Sequence, residues 1–558
     1  MNQIIECVPN FSEGRNQEVI NEISQSISNT KGVYLLNVDP GQATNRTVMT
    51  FVGDPESVIS AAFNAIKVAS NRIDMSRHKG EHPRFGATDV CPLIPVSNIT
   101  FEELIPYAEK LAKMVSKNLN IPIYLYEYAA KKDKRKNLAS IRSGEYEGLR
   151  DKIDSDEWKP DYGNKFNKKS GATAIGVRDF LIAYNINLNT KSTRLANAIA
   201  FDVREKGRVK RKGHSVIGEI VYDKNGNPET IAGSLKHVKA IGWYIDDVGI
   251  SQISMNLTNI TETPIHTVFE EVVKKANSRG ASVTGSELVG LIPLKSMVDA
   301  GKYFLAKQNR SIGIPEEDII KIAVESLGLN QVKDFNPEKN IIEYYLDKII
   351  NNKNNLIDLS VKSFSDEVSR ETPAPGGGSV SAYVGSLGAS LAGMVANLTC
   401  NTRGWEDKVK DFSILASEIN TKREKLISLV DKDANSFSAI MEAYKLPNDT
   451  KGNKDLRAKA INKATLYAAQ VPLDIMIESF NCYDIIEELA KNGNQNSISD
   501  SGVACLCVYT SVYGAFLNVK INLKDVEGGK KLFNKAEKIL SDSEVRKEKI
   551  LNFINGKI

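Results

Sequence analysis

Short alternating or continuous apolar runs punctuate the first 345 positions, and between them apolar residues recur at intervals of three and four. The runs predict strands and the three-four spacing predicts amphipathic helices. IIECVPN, GVYLLNVDP, NRTVMTFVG, ATDVCPLIPV and IPIYLYEY read as strands. Ile20, Ile23 and Ile27 mark a helix between the first two. Asp54 followed by Pro55 is a helix start, with the carboxylate as N-cap and proline at the first helical position. Thr100-x-x-Glu103 is a capping box opening a helix that runs to about Leu119. A similar order then recurs: DFLIAYNIN as a strand, Arg194 to Arg204 as a helix, KAIGWYI and SQISMNL as strands, and Ile265 to Ala276 as a helix. A strand near Ala281 and a helix from Leu294 to Ala306 follow. Two βαββαβ-like units in tandem predict two α/β sandwiches with a cleft between them.

Residues 347–357 are rich in Asn and Lys and read as a linker. Beyond them the strand signals vanish. Segments 379–398, 408–444, 454–470, 472–491 and 500–520 read as helices, so the last part is an all-α bundle. In the first of these, Ser381, Gly385, Ala389 and Gly393 form a stripe of small residues, which predicts a close helix–helix contact, within the chain or between subunits.

Composition narrows the class. The 558 residues predict three or four domains at roughly 100–200 residues each. With 41% apolar and 25% charged residues the chain has the balance of a soluble globular protein. A net charge of +4 gives no general case for nucleic acid. Cys7, Cys91, Cys400, Cys482, Cys505 and Cys507 contain no CxxC pair, which points to a reducing compartment without a zinc ribbon. The first residues lack the basic and apolar regions of a signal peptide. Tyr509, Thr510, Asn518 and Lys520 interrupt the apolar run Val503 to Ile521, so it reads as a bundle helix and not a membrane span. The cytoplasm is the expected location.

Two of the five histidines sit in RHKGEHPR. His78 to His82 matches the HxxEH zinc pattern in form only, because that pattern needs a helix and Gly80 and Pro83 predict a loop. The alternatives are a general acid/base histidine beside Lys79 and Arg84, or an ordinary surface loop. PAPGGGSVSA (373–382) is a Gly-rich loop opening a helix, where free N–H groups favour an anion or the chain simply turns tightly. No GK[ST] follows, so it is not a Walker A loop. The basic run REKGRVKRKGH (204–214) reads as a solvated loop.

Several long stretches carry a family resemblance. IECVPNFSEG, NVDPGQATNRTVMTFVG, DMSRHKGEHPRFGATDVCP, IPIYLYE, IRSGEYEGL, FLIAYNIN, AIGWYI and GSELVGLIPL are similar to the glutamate formimidoyltransferases. APGGGSV, LVDKDANSF, VPL and GAFLNVKINL are similar to the formimidoyltetrahydrofolate cyclodeaminases. Their order resembles the bifunctional formimidoyltransferase-cyclodeaminase family over nearly the whole chain. The resemblance implies an α/β first half with two ferredoxin-like subdomains, 1–180 and 181–346, and an all-α cyclodeaminase bundle over 358–558. It implies tetrahydrofolate, polyglutamylated, as co-substrate, with no metal. It further implies a homo-oligomer, at least dimeric, with a ring-shaped octamer as the larger alternative, acting in histidine degradation. Nucleic acid and membrane are not expected partners.

The resemblance also places residues. The family's catalytic histidine falls on His82, with Asp39 and Glu81 as alternatives for orienting its ring. Lys79 and Arg84 would keep that imidazole neutral or hold substrate carboxylates. The folate-contacting segment falls on Gly163, Asn164, Lys165, Phe166, Asn167, Lys168, Lys169, Ser170 and Gly171. Its ends match the family, while its middle diverges and is one residue shorter. Gly376, Gly377 and Gly378 are further folate contacts. Region 205–237 is longer than in the family. The cyclodeaminase proton donor falls on Asp433, and here periodicity agrees. Leu426, Val430, Phe437, Ile440 and Tyr444 form an apolar stripe in which Asp433 takes the place of a leucine, while Asp431 points elsewhere. Burial would raise its pKa and let it hold a proton near neutrality. A rival reading keeps the transferase and makes the bundle a catalytically silent folate-binding and assembly module.

Overall fold

The computed structural model describes residues 3–558 except 43–44, 81–82, 214–217, 246–248, 333, 351–354, 525 and 527. These residues divide into two compact units, 1–283 with 288–290, and 284–287 with 291–558.

In the first unit the strands are β1 (Ile4–Cys7), β2 (Asn10–Phe11), β3 (Val33–Gly41), β4 (Arg46–Gly53), β5 (Thr88–Ser97), β6 (Ile123–Glu127) and β7 (Thr173–Val177). β1 and β2 lie between β4 and β5, β3 pairs with the far side of β4, and β5 continues through β7 to β6. Helices Gln17–Ser28, Pro55–Arg72 and Phe101–Leu119 bury Ile20, Ile23 and Ile27, Val58, Ala62 and Ile66, and Leu104, Leu111 and Val115 in one core with the sheet. The sequence signals act locally as expected. Asp54 accepts from the Ser57 N–H, and both halves of the Thr100/Glu103 capping box form. β7 was not anticipated: its five residues are all buried between two parallel partners, so its sequence shows no alternation.

A second set follows: β8 (Ile182–Leu188), β9 (Arg208–Val209), β10 (Thr230–Ile231), β11 (Val238–Ile245), β12 (Ile250–Leu257) and β13 (Val283–Val289). β9 and β10 form a separate ribbon, and the main sheet runs β11-β12-β8-β13. Counting only the strands of each βαββαβ passage, this is the order β3-β4-β1-β5 of the first sheet.

Apart from residues 284–287, which belong to β13, the second unit is helical. Gly377–Cys400, Val409–Tyr444, Lys451–Phe480, Tyr483–Asn492, Ile498–Asn522 and Lys530–Asn555 form the bundle. The expected break at residue 471 is corrected: Pro472 lies inside one continuous helix. Ala468, Ala469, Val471, Leu473, Ile475 and Met476 are all buried around it, and that packing outweighs the one lost backbone hydrogen bond. The last helix was also not anticipated. The small-residue stripe faces other helices of the same chain. A Cβ on Gly385 would lie 2.6 Å from Ser511 Oγ and 2.8 Å from Ser479 Oγ. Among the described residues two helices, Gly377–Cys400 and the stretch Gln495–Asn522, are long and apolar enough to cross a membrane, and they pack against each other in this bundle.

Candidate active sites

Between the two sheets of the first unit lies a cleft of about 760 Å³. The loop carrying the histidine motif reaches its rim. The helix before it ends at Arg72, and residues 73–80 are turn and coil, which removes the helix a zinc pattern would need. Asn45 ties this loop down: its Nδ2 donates to the Lys79 carbonyl at 2.9 Å, while its Oδ1 accepts from the Gly14 N–H at 3.0 Å. His78 places Nε2 2.9 Å from the Asn45 carbonyl, and its Nδ1 accepts from Arg84 Nε at 3.4 Å. Those partners assign the Nε2–H tautomer. Burial, with Arg84 nearby, lowers the His78 pKa, so this ring is a neutral peg. His82 and Glu81 lie outside the described residues; Pro83, next in the chain, lines the cleft.

Arg84 does not offer a fork to substrate. Its NH1 and NH2 lie 2.9 and 2.8 Å from the two carboxylate oxygens of Glu147, and NH1 also lies 2.8 Å from Glu145. Arg142, from the same IRSGEYEGL stretch, pairs with the buried Asp89, whose other oxygen accepts from the Phe85 N–H. Thus two stretches distant in sequence are clamped by arginine–carboxylate pairs, which fix geometry as well as charge.

The cleft itself is lined by groups the sequence did not single out. Arg46 enters from β4, and burial pushes its pKa down to about 10, so it remains a cation at neutral pH. Burial raises the pKa of Glu127 against the pull of Arg178, Lys239 and His237, and that of Asp179 against the Phe180 N–H, Arg178 and His237. Such a wall can hold an acidic substrate and exchange protons with it. Asp39 is exposed on β3, with its charge acting on Arg46.

The segment Gly163 to Gly171 packs against the histidine loop on another side and is absent from the described cleft lining. The Met75 and Ala87 N–H groups donate to the carbonyls of Lys169 and Ser170, both at 2.8 Å. Gly171 has φ +66°, and a Cβ there would meet the Phe85 carbonyl at 2.1 Å, so only glycine fits. Asn167 Oδ1 accepts from the N–H groups of Lys169 and Ser170, shaping the turn. Phe166 packs near Tyr146 with ring centroids 5.9 Å apart. Lys169 spends its ammonium on the Asn71 carbonyl, whereas Gly163, Asn164, Lys165 and Lys168 are exposed.

In the bundle, the helix Gly377–Cys400 starts at an N-cap glycine, Gly376, with no side-chain cap. The carboxylate of Asp433, from the neighbouring helix, takes that place. Ser379 donates to it from its hydroxyl, Oγ to Oδ2 3.0 Å, and from its backbone N–H. Burial raises the Asp433 pKa and outweighs both donors. Asp431 turns away to accept from the Leu356 N–H at 2.7 Å. Asn518, within the GAFLNVKINL stretch, stands 3.2 Å from where a Gly377 Cβ would be. The hydrogen-bond acceptor expected at this helix start is therefore a carboxyl of the chain itself.

An α/β cleft with paired cations and carboxyls, followed by a bundle that holds one carboxyl of raised pKa, has the groups an enzyme with two acid/base centres would need. Three family models cover the chain in sequence: formiminotransferase domain, N-terminal subdomain, over residues 4–178; formiminotransferase domain over 183–347; and formiminotransferase-cyclodeaminase over 360–540. The chain is 43% identical to formimidoyltransferase-cyclodeaminase of Mus musculus, over 94% of this chain and 93% of that protein. It is 41% identical to the Dictyostelium discoideum protein of the same name, over the full length of both. Glutamate formimidoyltransferase of Streptococcus pyogenes serotype M1 is 37% identical, matching 62% of this chain and 99% of its own. The chain belongs to the formiminotransferase-cyclodeaminase family.

Proposed function

We propose that the first half transfers the formimino group of N-formimidoylglutamate to N5 of tetrahydrofolate, and that the second half cyclises the product to 5,10-methenyltetrahydrofolate with release of ammonia. The observation that carries the second step is Asp433, a carboxyl whose burial raises its pKa where a leaving nitrogen needs a proton. N10 attacks the formimino carbon and its proton passes to the imino nitrogen, which becomes an amino group as the five-membered ring closes; a second proton, from Asp433, lets that nitrogen leave as ammonia and the methenyl cation remains. A half-buried carboxyl so placed argues against a silent bundle, as does the match to named cyclodeaminases over the full chain.

In the transferase, N5 attacks the same carbon and the glutamate amine departs. His82 takes the proton from N5 and returns one to the amine, for which an ordinary pKa near 6.5 is suited. Arg46, Arg178 and Lys239 supply positive charge for the two carboxylates of formimidoylglutamate. Exposed Lys165 and Lys168 suit the acidic tail of a polyglutamylated folate, with Gly376, Gly377 and Gly378 bordering the second folate site. This chemistry calls for no metal. The reading places the domains at 1–180, 181–346 and 358–558. The strand orders of the two sheets support a ferredoxin-like topology for the first two.

The protein works in the cytoplasm, in histidine degradation, as a homo-oligomer that is at least dimeric. Support for association comes from one exposed stripe of the bundle, Val503, Leu506, Tyr513, Leu517 and Ile521, with intervals of three, seven, four and four. The testing experiment supplies N-formimidoylglutamate and tetrahydrofolate and follows methenyltetrahydrofolate absorbance alongside ammonia. Both should rise together. His82→Ala should lose transfer by about 10²–10⁴-fold while still cyclising supplied 5-formimidoyltetrahydrofolate. Near-normal transfer by that variant, or no ammonia from the wild type, would overturn the reading.

A further inference from the structure

Away from the cleft, the first unit carries a second concavity, of about 480 Å³, built by the helix Thr193–Val203 and the β9–β10 ribbon of the long 205–237 region. The helix buries Ala196, Ile199, Ala200 and Val203. Gly242 of β11 lets it sit close, since a Cβ there would be 2.2 Å from the Asn197 nitrogen, and Asn197 exchanges two hydrogen bonds with Gly242. That seating leaves Arg194, Ala198 and Phe201 on the opposite face. The chain then turns at Gly207, with φ +62°, where a Cβ would lie 1.8 Å from the Ile231 carbonyl oxygen. The ribbon so formed brings Arg208 and Arg211 over the helix.

Five arginines line the result: Arg194, Arg204, Arg208, Arg211 and Arg279. Among the described residues lining it there is no carboxylate. Asp202, nearby, takes Arg208 and, at 2.5 Å, Arg279, which leaves the cluster with a large excess of positive charge. Several of these side chains are held in place. Arg208 donates to the Ala198 carbonyl at 2.7 Å, and Arg211 to the Gly218 carbonyl at 2.8 Å. Arg204 donates from Nε to the Gly207 carbonyl at 2.9 Å and stacks 3.9 Å from the Phe201 ring centre. The floor is apolar, with Leu195 and Val209 beside Phe201. The volume falls in the range of small-molecule sites, roughly 300–1,000 Å³. Arginine is suited to phosphoryl groups because its planar fork binds two oxygens at once.

We infer that this arginine-lined concavity is a ligand site separate from both reaction centres, taking a phosphorylated small molecule with a flat apolar group. Phosphoryl oxygens meet the arginines and the apolar group lies on the floor. The site shares no lining residue with the cleft.

Isothermal titration of the full chain with ATP, inorganic pyrophosphate and adenosine tests this. ATP should bind, pyrophosphate should bind more weakly, and adenosine should give no measurable heat. Arg194→Ala/Arg211→Ala should weaken ATP at least about tenfold with both catalytic rates unchanged. Arg194→Ala alone, at an exposed rim position, should weaken it in the same direction and guards against misfolding of the double variant. Arg178→Ala, in the cleft, should leave ATP affinity as it was. Absence of binding by ATP and pyrophosphate, equal binding of adenosine, or loss of ATP binding in Arg178→Ala alone would overturn the site. The titrations read binding at this site whether or not the two proposed reactions occur.

Discussion

A Cβ placed on Gly378 would lie 2.1 Å from Asp433 Oδ1 and 2.6 Å from Oδ2. The glycine is thus the space that the carboxyl occupies. Ser379, one residue on, donates to the same group and also to the Val430 carbonyl at 3.1 Å, locking one helix start against the next helix. The glycine and the serine together hold this half-buried carboxyl at one angle, which the role proposed for Asp433 requires.

Gly378→Ala should therefore act on the second reaction alone. The added methyl cannot share space with the carboxyl, so Asp433 must swing away from Ser379. Ammonia release should fall by at least about tenfold, one pKa unit's worth of free energy or more, while formimino transfer continues. Parallel assays of both steps check this; an unchanged cyclodeaminase rate would show that the contact does not matter.

Stability should depend on Asp433 in a defined pH window. The pKa is raised in the folded state, so the folded chain binds this proton more tightly than the unfolded chain does. Below the unfolded value, about 3.9, both states are protonated and burial costs little. As pH rises through the folded pKa the buried group ionises and that advantage is lost. Asp433→Asn carries no such charge. The bundle of the variant should melt above the wild type at about pH 8, by roughly 2–4 °C for each kcal/mol, and the difference should shrink toward pH 4. Parallel melting curves at all pH values would contradict the ionisation account.

The loop 309–315 docks on the bundle helices within the second unit. Ser311 Oγ donates to Asn397 Oδ1 at 2.6 Å, and the Ile312 N–H donates to Ser413 Oγ at 2.9 Å. Gly313 sits where a Cβ would be 2.3 Å from the Ala416 Cβ. Cleaving the chain at 351–354 should give two soluble pieces that still co-elute on gel filtration. Gly313→Val should separate them. Independent elution of the wild-type pieces would show that the docking is too weak to hold.

Much of this was legible in the sequence where local chemistry decides. The Asp54 cap, the Thr100/Glu103 box and the Ile20, Ile23, Ile27 face all form as their patterns dictate. The Asp433 stripe was legible only in part. Leu426 and Val430 are buried, but Phe437 and Ile440 are half-buried and Tyr444 is 51% exposed, because the inner face there passes through Ser436 and Ala443. The cleft of the first unit was the least legible. Glu127 and His237 take left-handed backbone, φ +52° and +56°, at the end of one strand and just before another, and no periodicity announces that. Arg46 and Asp89 lay inside the quoted motifs, yet Arg46 feels the charge of Asp89, 43 residues on, and Asp89 pairs with Arg142, 53 residues beyond that. The helix Lys530–Asn555 was missed although Phe533, Ala536 and Leu540 recur at helical spacing, since charged residues dominate the rest of it.

The account stands on two separable reactions in one chain, and Asp433→Asn divides them most directly. The variant keeps the shape of the side chain and removes the acid. In a single-turnover experiment with excess enzyme, N-formimidoylglutamate and tetrahydrofolate, it should convert the folate to 5-formimidoyltetrahydrofolate and stop there. Ammonia release should be slower than wild type by about 10²-fold or more. Ammonia and methenyltetrahydrofolate appearing at close to the wild-type rate would contradict the central claim, because another group would then be supplying the proton.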